Sequence, residues 1–318
     1  MVDGFSRRAL LGAGTMWAAS SALALDEKNA SQLKVAIFSK HLHFLQGEAL
    51  AKAAKEIGFD GIDITVRKGG HVEPERVRQD LPPLVATIRK AGLEVPLVST
   101  DIVDSDTPCT EDILKTLADL GIPRYRWMPP GGLKYNTAEP YPAQLERLRP
   151  RIAKLAALNA RYKLSAMWHT HSGVDYVGAS FWDIYLVLKG LDPAAVGVNY
   201  DVGHATIEGG IGGWINSFHI MGPYLRGVAV KDFMWAKDAK GAWKAQWVPL
   251  GEGMVHLPQF FGMVKAAGFA GPVQLHFEYP LGGADAGKKT LSIPREEVFA
   301  AMKRDLGKLH GYMGQAGL

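Results

Sequence analysis

Imidazoles, carboxylates and one amine stand at the ends of four apolar segments in the second half of the chain. In chain order they are His169 and His171, Asp201, Lys231, and His276 and Glu278. Side chains alternate across an extended strand, so residues two apart point to the same side. His169 therefore shares a face with His171, and His276 shares a face with Glu278.

Groups of these types are costly to bury singly, because each must be paired or must hold a metal once it leaves water. A cluster of them is typical of a functional site. Each residue alone also fits a structural role. A histidine at a strand end often bonds to neighbouring backbone, and Asp201 stands where it could cap the next helix. The repetition over four consecutive segments favours a metal-binding or catalytic site.

The segments that carry these residues belong to a longer alternation. Eight short runs rich in apolar and β-branched residues each precede a stretch with the period of an amphipathic helix. The runs start about 30 to 45 residues apart, the length of a strand, a loop and a crossover helix. We predict strands over residues 33–39, 61–66, 94–100, 124–128, 163–169, 196–201, 225–231 and 273–278.

Glycines mark the ends of three predicted helices. Helices over residues 48–57, 80–91 and 257–267 are followed by Gly58, Gly92 and Gly268. Glycine is favoured at this position because the residue after a helix often adopts a left-handed conformation. The three connections therefore have the same form, a helix, a glycine and an apolar strand.

Eight such units in one chain predict an α/β fold, the (β/α)8 or TIM barrel, rather than an open doubly wound sheet. An open dinucleotide-binding sheet carries a glycine-rich turn after its first strand. This chain has Phe38, Ser39, Lys40 and His41 there. Active sites in such barrels lie at the C-terminal ends of the strands. We therefore expect the polar strand ends to meet at one mouth of the barrel.

The first residues have the pattern of an export signal. Arg7 and Arg8 precede a weakly apolar stretch over residues 9–24, which ends in a small-x-small site at Ala22 and Ala24. A short membrane anchor is the alternative, but the stretch is shorter than the roughly 20 apolar residues of a span. We predict a twin-arginine signal peptide over residues 1–24 and one periplasmic domain over residues 25–318.

Composition narrows the remaining classes. Cys109 is the only cysteine, so a disulfide framework is excluded. The basic residues behind the net charge of +4 are scattered, which argues against a nucleic-acid partner. No second apolar segment of spanning length follows the signal, so we expect no membrane span in the mature chain. Nothing in the sequence indicates the oligomeric state.

Several motifs resemble those of the xylose isomerase-like TIM barrels, which include sugar epimerases, inosose dehydratases and endonuclease IV. The resemblance covers most of the mature chain. It is carried by GFDGID (58–63), YDVGH (200–204), VKD (230–232), LGEG (250–253) and Glu278. The segment GGHV (69–72) is similar to exported bacterial members of the sugar phosphate isomerase/epimerase family.

The resemblance implies a metal site, with one departure. Metal-dependent epimerases of the family take four ligands, Glu, Asp, His and Glu, from strands five to eight. Asp201 and Glu278 match two of these positions, and His169 stands where the strand-five carboxylate is expected. Ala229 occupies the strand-seven position and cannot act as a ligand.

Two alternatives for the cation therefore stay open. One is a divalent metal, Mn, Zn, Fe or Mg, held by His169, Asp201 and Glu278, with His204 or His276 completing its shell. An imidazole-rich shell favours Zn, Mn or Fe over Mg. The other alternative is that no metal is bound.

In the family's chemistry, a carboxylate removes a proton alpha to a carbonyl, and a cation stabilises the resulting enediolate. By resemblance the catalytic candidates are Glu278, Asp201, Lys231 and His171, with Lys231 or Arg126 as the cation if no metal is bound. The candidates for contacts to substrate are His71, Arg67, Arg126, His204 and His276.

The leading prediction is a sugar isomerase or epimerase that acts on a small carbohydrate, neutral or oxidised. A lyase or dehydratase that acts on a keto-sugar or keto-glycoside is the second enzymatic alternative. Ala229 motivates a third, a periplasmic carbohydrate-binding barrel without catalysis. Endonuclease IV chemistry is disfavoured because it needs a larger ligand set and a basic DNA-binding face.

Overall fold

The computed structural model describes residues 33–127 and 133–318, and within them eight parallel strands close into a barrel. The first strand pairs with both the second and the last, which closes the ring. The predicted (β/α)8 TIM barrel is confirmed. The strands are β1 (Val35–Phe38), β2 (Gly61–Val66), β3 (Val98–Thr100), β4 (Arg124–Trp127), β5 (Ser165–His169), β6 (Val196–Asp201), β7 (Leu225–Val230), β8 (Asp232–Lys237), β9 (Trp243–Val248) and β10 (Val273–Leu275), of which β8 and β9 form a separate hairpin.

Helices follow the barrel strands and cover the outside of the sheet, as the pattern predicted. They are α1 (Gly47–Ile57), α2 (Val77–Lys90), α3 (Thr110–Asp119), α4 (Tyr141–Tyr162), α5 (Phe181–Leu188), α6 (Val202–Met221), α7 (Leu257–Ala266) and α8 (Arg295–Ala316). The three glycines predicted after helices adopt positive φ, 110° at Gly58, 74° at Gly92 and 61° at Gly268. These exits turn the chain into the next strand without strain, because glycine has no Cβ.

Most of the predicted strands are longer than the observed ones, and three of these differences bear on the sheet or the site. The run over residues 94–100 forms regular β3 only from Val98, because Pro96 has no backbone N–H to donate to a neighbour. The eighth run ends its ladder at Leu275, although the His276 N–H still donates to the Val230 carbonyl at 3.0 Å. The seventh run ends at Val230, so Lys231 lies in the connection to the hairpin.

The hairpin β8–β9 was not predicted. Its strands pair antiparallel from Asp232 opposite Val248 to Lys237 opposite Trp243, next to the end of β7. Gly241 closes the turn at φ 79°. The hairpin brings Trp247 to the mouth of the barrel, where it becomes part of the candidate site.

A layer of buried polar side chains lies inside the barrel, and we call Asp63, Ser99, Asn199 and Gln274 the polar layer. Asp63 Oδ2 accepts hydrogen bonds from Ser99 Oγ at 2.8 Å and from Gln274 Nε2. Asn199 donates to Gln274 Oε1. The hydrogen bonds satisfy most of these groups, so the layer supports the mouth instead of destabilising the interior.

The predicted signal peptide, residues 1–24, lies outside the described residues. Among the described helices, none combines the length and the apolar character that crossing a membrane requires.

Candidate active site

A cavity of about 210 Å³ lies at the C-terminal mouth of the barrel. Its lining comprises Phe38, Lys40, Arg67, Arg126, His169, His171, His204, Lys231, Trp247, His276 and Glu278. Most of the predicted site residues are therefore brought together. Asp201 is fully buried beneath the lining, and His71 lies elsewhere.

Asp201, at the end of β6, contacts Lys231 and also caps helix α6. Its Oδ1 accepts a hydrogen bond from the His204 N–H at 3.0 Å, as the capping interpretation expected. Its Oδ2 lies 3.1 Å from Lys231 Nζ. Burial raises the pKa of Asp201, and the nearby ammonium opposes that shift. Asp201 therefore fixes the lysine from below and does not itself line the cavity.

Lys231 Nζ lies close to two further side chains. It lies 2.8 Å from His204 Nε2 and 4.3 Å from the centroid of the Trp247 ring. A Cβ on Gly203 would come within 2.8 Å of Lys231 Cγ, so the glycine of the YDVGH segment makes room for this lysine. The ammonium is consequently held in one place at the cavity wall.

The carboxylate of Glu278 is paired with Lys40, which was not among the predicted site residues. Lys40 Nζ lies 3.0 and 3.1 Å from the two carboxylate oxygens. Burial alone would raise the pKa of Glu278, but Lys231, Lys40 and His41 outweigh it and lower the pKa to about 2. Glu278 is therefore an ionised carboxylate at neutral pH. Lys40 follows β1, at the place where a dinucleotide-binding sheet would carry its glycine-rich phosphate loop.

Three ligand atoms converge on one point, from His169, Asp201 and His276. Asp201 Oδ2 lies 3.5 Å from His169 Nε2 and 4.0 Å from His276 Nδ1. Both nitrogens of His276 lack a hydrogen-bond partner among the described residues, and Asp201 Oδ2 has only its ion-pair contact with Lys231 there. Burial, the largest cause, lowers the pKa of both imidazoles well below 6.5, so both are neutral. These donors fit a divalent metal that accepts nitrogen ligands.

The metal ligands predicted by resemblance are thus rearranged in one respect. His276, and not Glu278, converges with His169 and Asp201, while the Glu278 carboxylate is paired with Lys40 and lies 4.0 Å from His276 Nδ1. Ala229 is fully buried opposite Asp201 in the sheet and offers no ligand atom. His169, His171 and His204 form a second group of three nearby imidazoles.

His171 lines the cavity with a single polar side-chain contact among the described residues. Its Nε2 lies 3.4 Å from Arg126 Nη2, a weak contact. Burial lowers its pKa well below 6.5, with Arg126 and Lys231 adding to the effect. A neutral imidazole in this position can accept a proton from a bound molecule.

His71, predicted as a contact to substrate, has a structural environment instead. Its Nδ1 lies 3.1 Å from Ser39 Oγ and 3.2 Å from Thr65 Oγ1, and its Nε2 lies 3.1 Å from the Leu45 carbonyl. The segment after β2 folds back, with Val72 bridged to Val66. His71 therefore holds the first two strand-end loops together, with His43 at 4.9 Å between ring centroids.

The unfolding free energy should fall as the pH decreases from about 6.5 to about 4. Burial, the largest cause, lowers the pKa of His71 and of His43 from 6.5 to about 4. In that window the unfolded chain binds protons that the folded chain does not, so stability is full above 6.5 and is lost towards 4. For a shift of this size the loss is at most about 3 kcal/mol per histidine.

Denaturant unfolding at a series of pH values tests this dependence, with His71→Asn as the variant. The variant should show a shallower decrease, whereas His310→Asn, on the partly exposed face of α8, should follow the parent. Burial raises the pKa of Asp63 to about 7, which acts in the opposite direction, so the slopes of matched variants are compared. Equal slopes for His71→Asn and the parent would contradict the assignment.

Fold and cavity together define a (β/α)8 barrel with ionisable groups at its strand ends. The profile of the family described as "Xylose isomerase-like TIM barrel" matches residues 51–299. The chain belongs to the xylose isomerase-like TIM barrel family. No curated protein sequence matches it.

Solved structures with the same fold include three of different description. A xylose isomerase-like TIM barrel protein from Mycobacterium smegmatis in complex with magnesium has a TM-score of 0.58 and 18% identity, over 86% of this chain and 98% of that one. D-Psicose 3-epimerase with D-tagatose from Clostridium cellulolyticum H10 has a TM-score of 0.63 and 12% identity, over 88% of this chain and 99% of that one. The probable 3-DHS dehydratase from Bacillus anthracis has a TM-score of 0.62 and 16% identity, over 85% of this chain and 98% of that one. At these identities the likeness concerns the fold.

Proposed function

We propose that this chain is an enzyme that isomerises or epimerises a small carbohydrate through an enediolate. The observation that carries the proposal is that the Glu278 carboxylate and the Lys231 ammonium line one small cavity, with the neutral imidazole of His171 in the same lining. A base and a fixed cation are the two groups that proton abstraction alpha to a carbonyl requires. The fold likeness to D-psicose 3-epimerase is consistent with this chemistry.

In the proposed mechanism Glu278 removes the proton alpha to the substrate carbonyl. Lys231, held by Asp201 and His204, donates a hydrogen bond to the oxygen on which negative charge develops. In an isomerisation, Glu278 returns the abstracted proton to the former carbonyl carbon while neutral His171 moves the hydroxyl proton between the two oxygens. In an epimerisation, a solvent proton reaches the opposite face of the same carbon and Glu278 releases its own proton to solvent. Because the pKa of Glu278 is as low as about 2, it is always ionised but is a weak base, and stabilisation of the enediolate by the cation must supply much of the rate.

A divalent metal, if it binds, would be held by His169, Asp201 and His276. It would polarise the substrate carbonyl as a Lewis acid. Two imidazoles and one carboxylate favour Zn, Mn or Fe over the magnesium that accompanies the Mycobacterium smegmatis protein. Lys231 competes with such an ion, because its Nζ lies 3.1 Å from the same Asp201 oxygen.

Elimination is the second candidate reaction. It is favoured by the adjacent carboxylate of Glu278 and ammonium of Lys40, which can act as base and acid. A lyase needs a base for the alpha proton and an acid that protonates the leaving oxygen at the beta position. Burial lowers the pKa of Lys40 against the opposing effect of Glu278, which makes the ammonium a better acid. The same cavity would then release water or an alcohol from a keto-sugar or keto-glycoside.

Incubation with ketoses and keto-glycosides in heavy water distinguishes these alternatives. Carbon-bound deuterium in a sugar of unchanged composition supports the isomerase, and loss of water or an alcohol supports the lyase. Binding without exchange or loss would contradict both and leave a binding barrel. Elemental analysis of protein purified without added metal, run in parallel, establishes whether the site carries an ion.

We also propose that residues 1–24 export the folded chain to the periplasm by the twin-arginine route. Fused to a reporter, residues 1–30 should carry folded cargo across the membrane, and replacing Arg7 and Arg8 together with lysine should stop export. Fractionation of periplasm and cytoplasm gives the readout. Normal export by the lysine pair would contradict the assignment.

A further inference from the structure

Among the described residues, the side chains that line the cavity carry more positive than negative charge. Four cationic side chains line it, from Lys40, Arg67, Arg126 and Lys231. Glu278 is paired with Lys40, and Asp201 is paired with Lys231. The carboxylates of Glu278 and Asp201 are therefore occupied by the lysines. The buried Asp63 carboxyl is near enough to favour the charge of Arg126, but it forms no ion pair with either arginine among the described residues.

Arg126 is the more informative of the two arginines because it is buried. Only 4% of its surface is exposed, and its Nη1 has no hydrogen-bond partner in the part of the chain that the structure describes. Its other terminal nitrogen makes only the 3.4 Å contact to His171. Within residues 33–127 and 133–318 no carboxylate oxygen lies within 4.0 Å of the Arg126 guanidinium.

Arg67 lies beside it, over the same aromatic ring. The guanidinium carbons of Arg126 and Arg67 lie 4.9 and 5.2 Å from the centroid of Phe38. The two like charges thus share one wall of the cavity, and each makes the other less favourable. Burial, followed by the charge of Arg67, lowers the pKa of Arg126 to about 10, so the guanidinium remains charged at neutral pH. A buried charge without a partner is costly unless a ligand supplies the opposite charge.

We propose that Arg126, assisted by Arg67, binds the carboxylate of an acidic sugar, so that the substrate class is a uronic, aldonic or keto-sugar acid. The inference rests on the proposed function, because it names the substrate class of the same cavity. A planar guanidinium matches a planar carboxylate through paired hydrogen bonds. No glycine is among the lining residues that the structure describes, so the lining offers none of the glycine backbone typical of phosphate-binding loops.

Matched pairs of ligands test the inference by calorimetry on the mature chain. D-Glucuronate is compared with D-glucose, and D-gluconate with D-glucitol, at constant ionic strength. We expect at least one acid to bind about tenfold or more tightly than its neutral partner, as a charge-assisted hydrogen bond provides. D-Glucose 6-phosphate is the third arm, and tighter binding of the phosphate than of both acids would overturn the carboxylate assignment.

Variants locate the preference. Arg126→Gln should abolish the preference for the acid while affinity for the neutral partner changes less, and Arg126→Lys should restore only part of it. Arg67→Gln, at a half-buried position, should weaken the preference and keeps the test decisive should Arg126→Gln fail to fold. Arg124→Gln is the matched control, because Arg124 lies on the same strand but lines a different cavity with Arg226 and Phe269.

The outcomes separate this inference from the proposed function. If the acid binds more tightly but no deuterium is exchanged, the carboxylate site is supported and the proposed enzymatic activity is contradicted. Exchange with neutral ketoses, combined with equal binding of acid and neutral partners, would retain the enzyme and overturn the inference. An unchanged preference in both Arg126→Gln and Arg67→Gln, or no binding of either acid at millimolar concentration, would also overturn it.

Discussion

Replacing Glu278 with glutamine should reduce turnover by about two orders of magnitude or more, which corresponds to about 3 kcal/mol in transition-state stabilisation. Glutamine keeps the shape of the side chain and an oxygen that accepts a hydrogen bond from Lys40, but it cannot take a proton. The fold should therefore be retained, with some loss of stability because the largely buried Lys40 ammonium loses its carboxylate partner. Turnover in heavy water and thermal unfolding of the same preparation give the two readouts.

Glu252→Gln is the matched control for this variant. Glu252 is exposed after the hairpin, and its carboxylate faces Lys308 at 3.4 Å on the surface. A surface pair of this kind contributes at most about 1 kcal/mol to stability, and it lies outside the cavity lining. Glu252→Gln should keep full turnover. Full turnover of Glu278→Gln on an identified substrate would remove the basis for the site assignment.

Replacing Lys231 with methionine should lower the unfolding free energy by about 3 to 5 kcal/mol and abolish turnover. The change leaves the carboxylate of Asp201 fully buried without its ammonium partner, and breaking a buried pair from one side costs this amount. It also removes the cation that the enediolate needs. Denaturant unfolding measures the first effect and deuterium exchange measures the second.

The double variant Lys231→Met with Asp201→Asn separates the two effects. Asparagine keeps the oxygen that caps α6 but carries no charge, so most of the lost stability should return while turnover stays absent. Lys244→Met is the control, because Lys244 pairs with Asp238 at 2.8 Å on the exposed hairpin and should contribute about 1 kcal/mol or less. A double variant no more stable than Lys231→Met alone would show that Asp201 is not compensated by Lys231.

The barrel could be predicted because the sequence signals for its strands and for the ends of its helices are local. Each barrel strand is a short, largely buried run, and six of the eight contain β-branched residues. The glycines after α1, α2 and α7 stand at left-handed helix exits that few other residues tolerate. Alternation of side chains along a strand then sufficed to bring His169 with His171, and His276 with Glu278, into one cavity. These inferences required no knowledge of distant partners.

Most of the differences from the prediction concern partners far apart in sequence. Lys40 meets Glu278 across 238 positions, so nothing near either residue indicates their pairing. In the structure His276 joins the candidate metal ligands, while Glu278 is paired with Lys40. His71 was assigned to substrate because it follows a strand, but the chain folds back after β2 and packs it against Leu45. The hairpin was missed because β8 begins immediately after Lys231, without an intervening turn.

The polar layer inside the barrel links the carboxylate of Asp63 to the tautomer of His169. Ionised Asp63 accepts from Gln274 Nε2, which turns Gln274 Oε1 towards the amide nitrogen of Asn199. That nitrogen also lies 3.1 Å from His169 Nδ1 and donates to it, so the ring carries its proton on Nε2, facing Asp201. For His169 to present an Nε2 lone pair to a metal, the amides of Gln274 and Asn199 must invert together, which requires protonated Asp63 to become the donor.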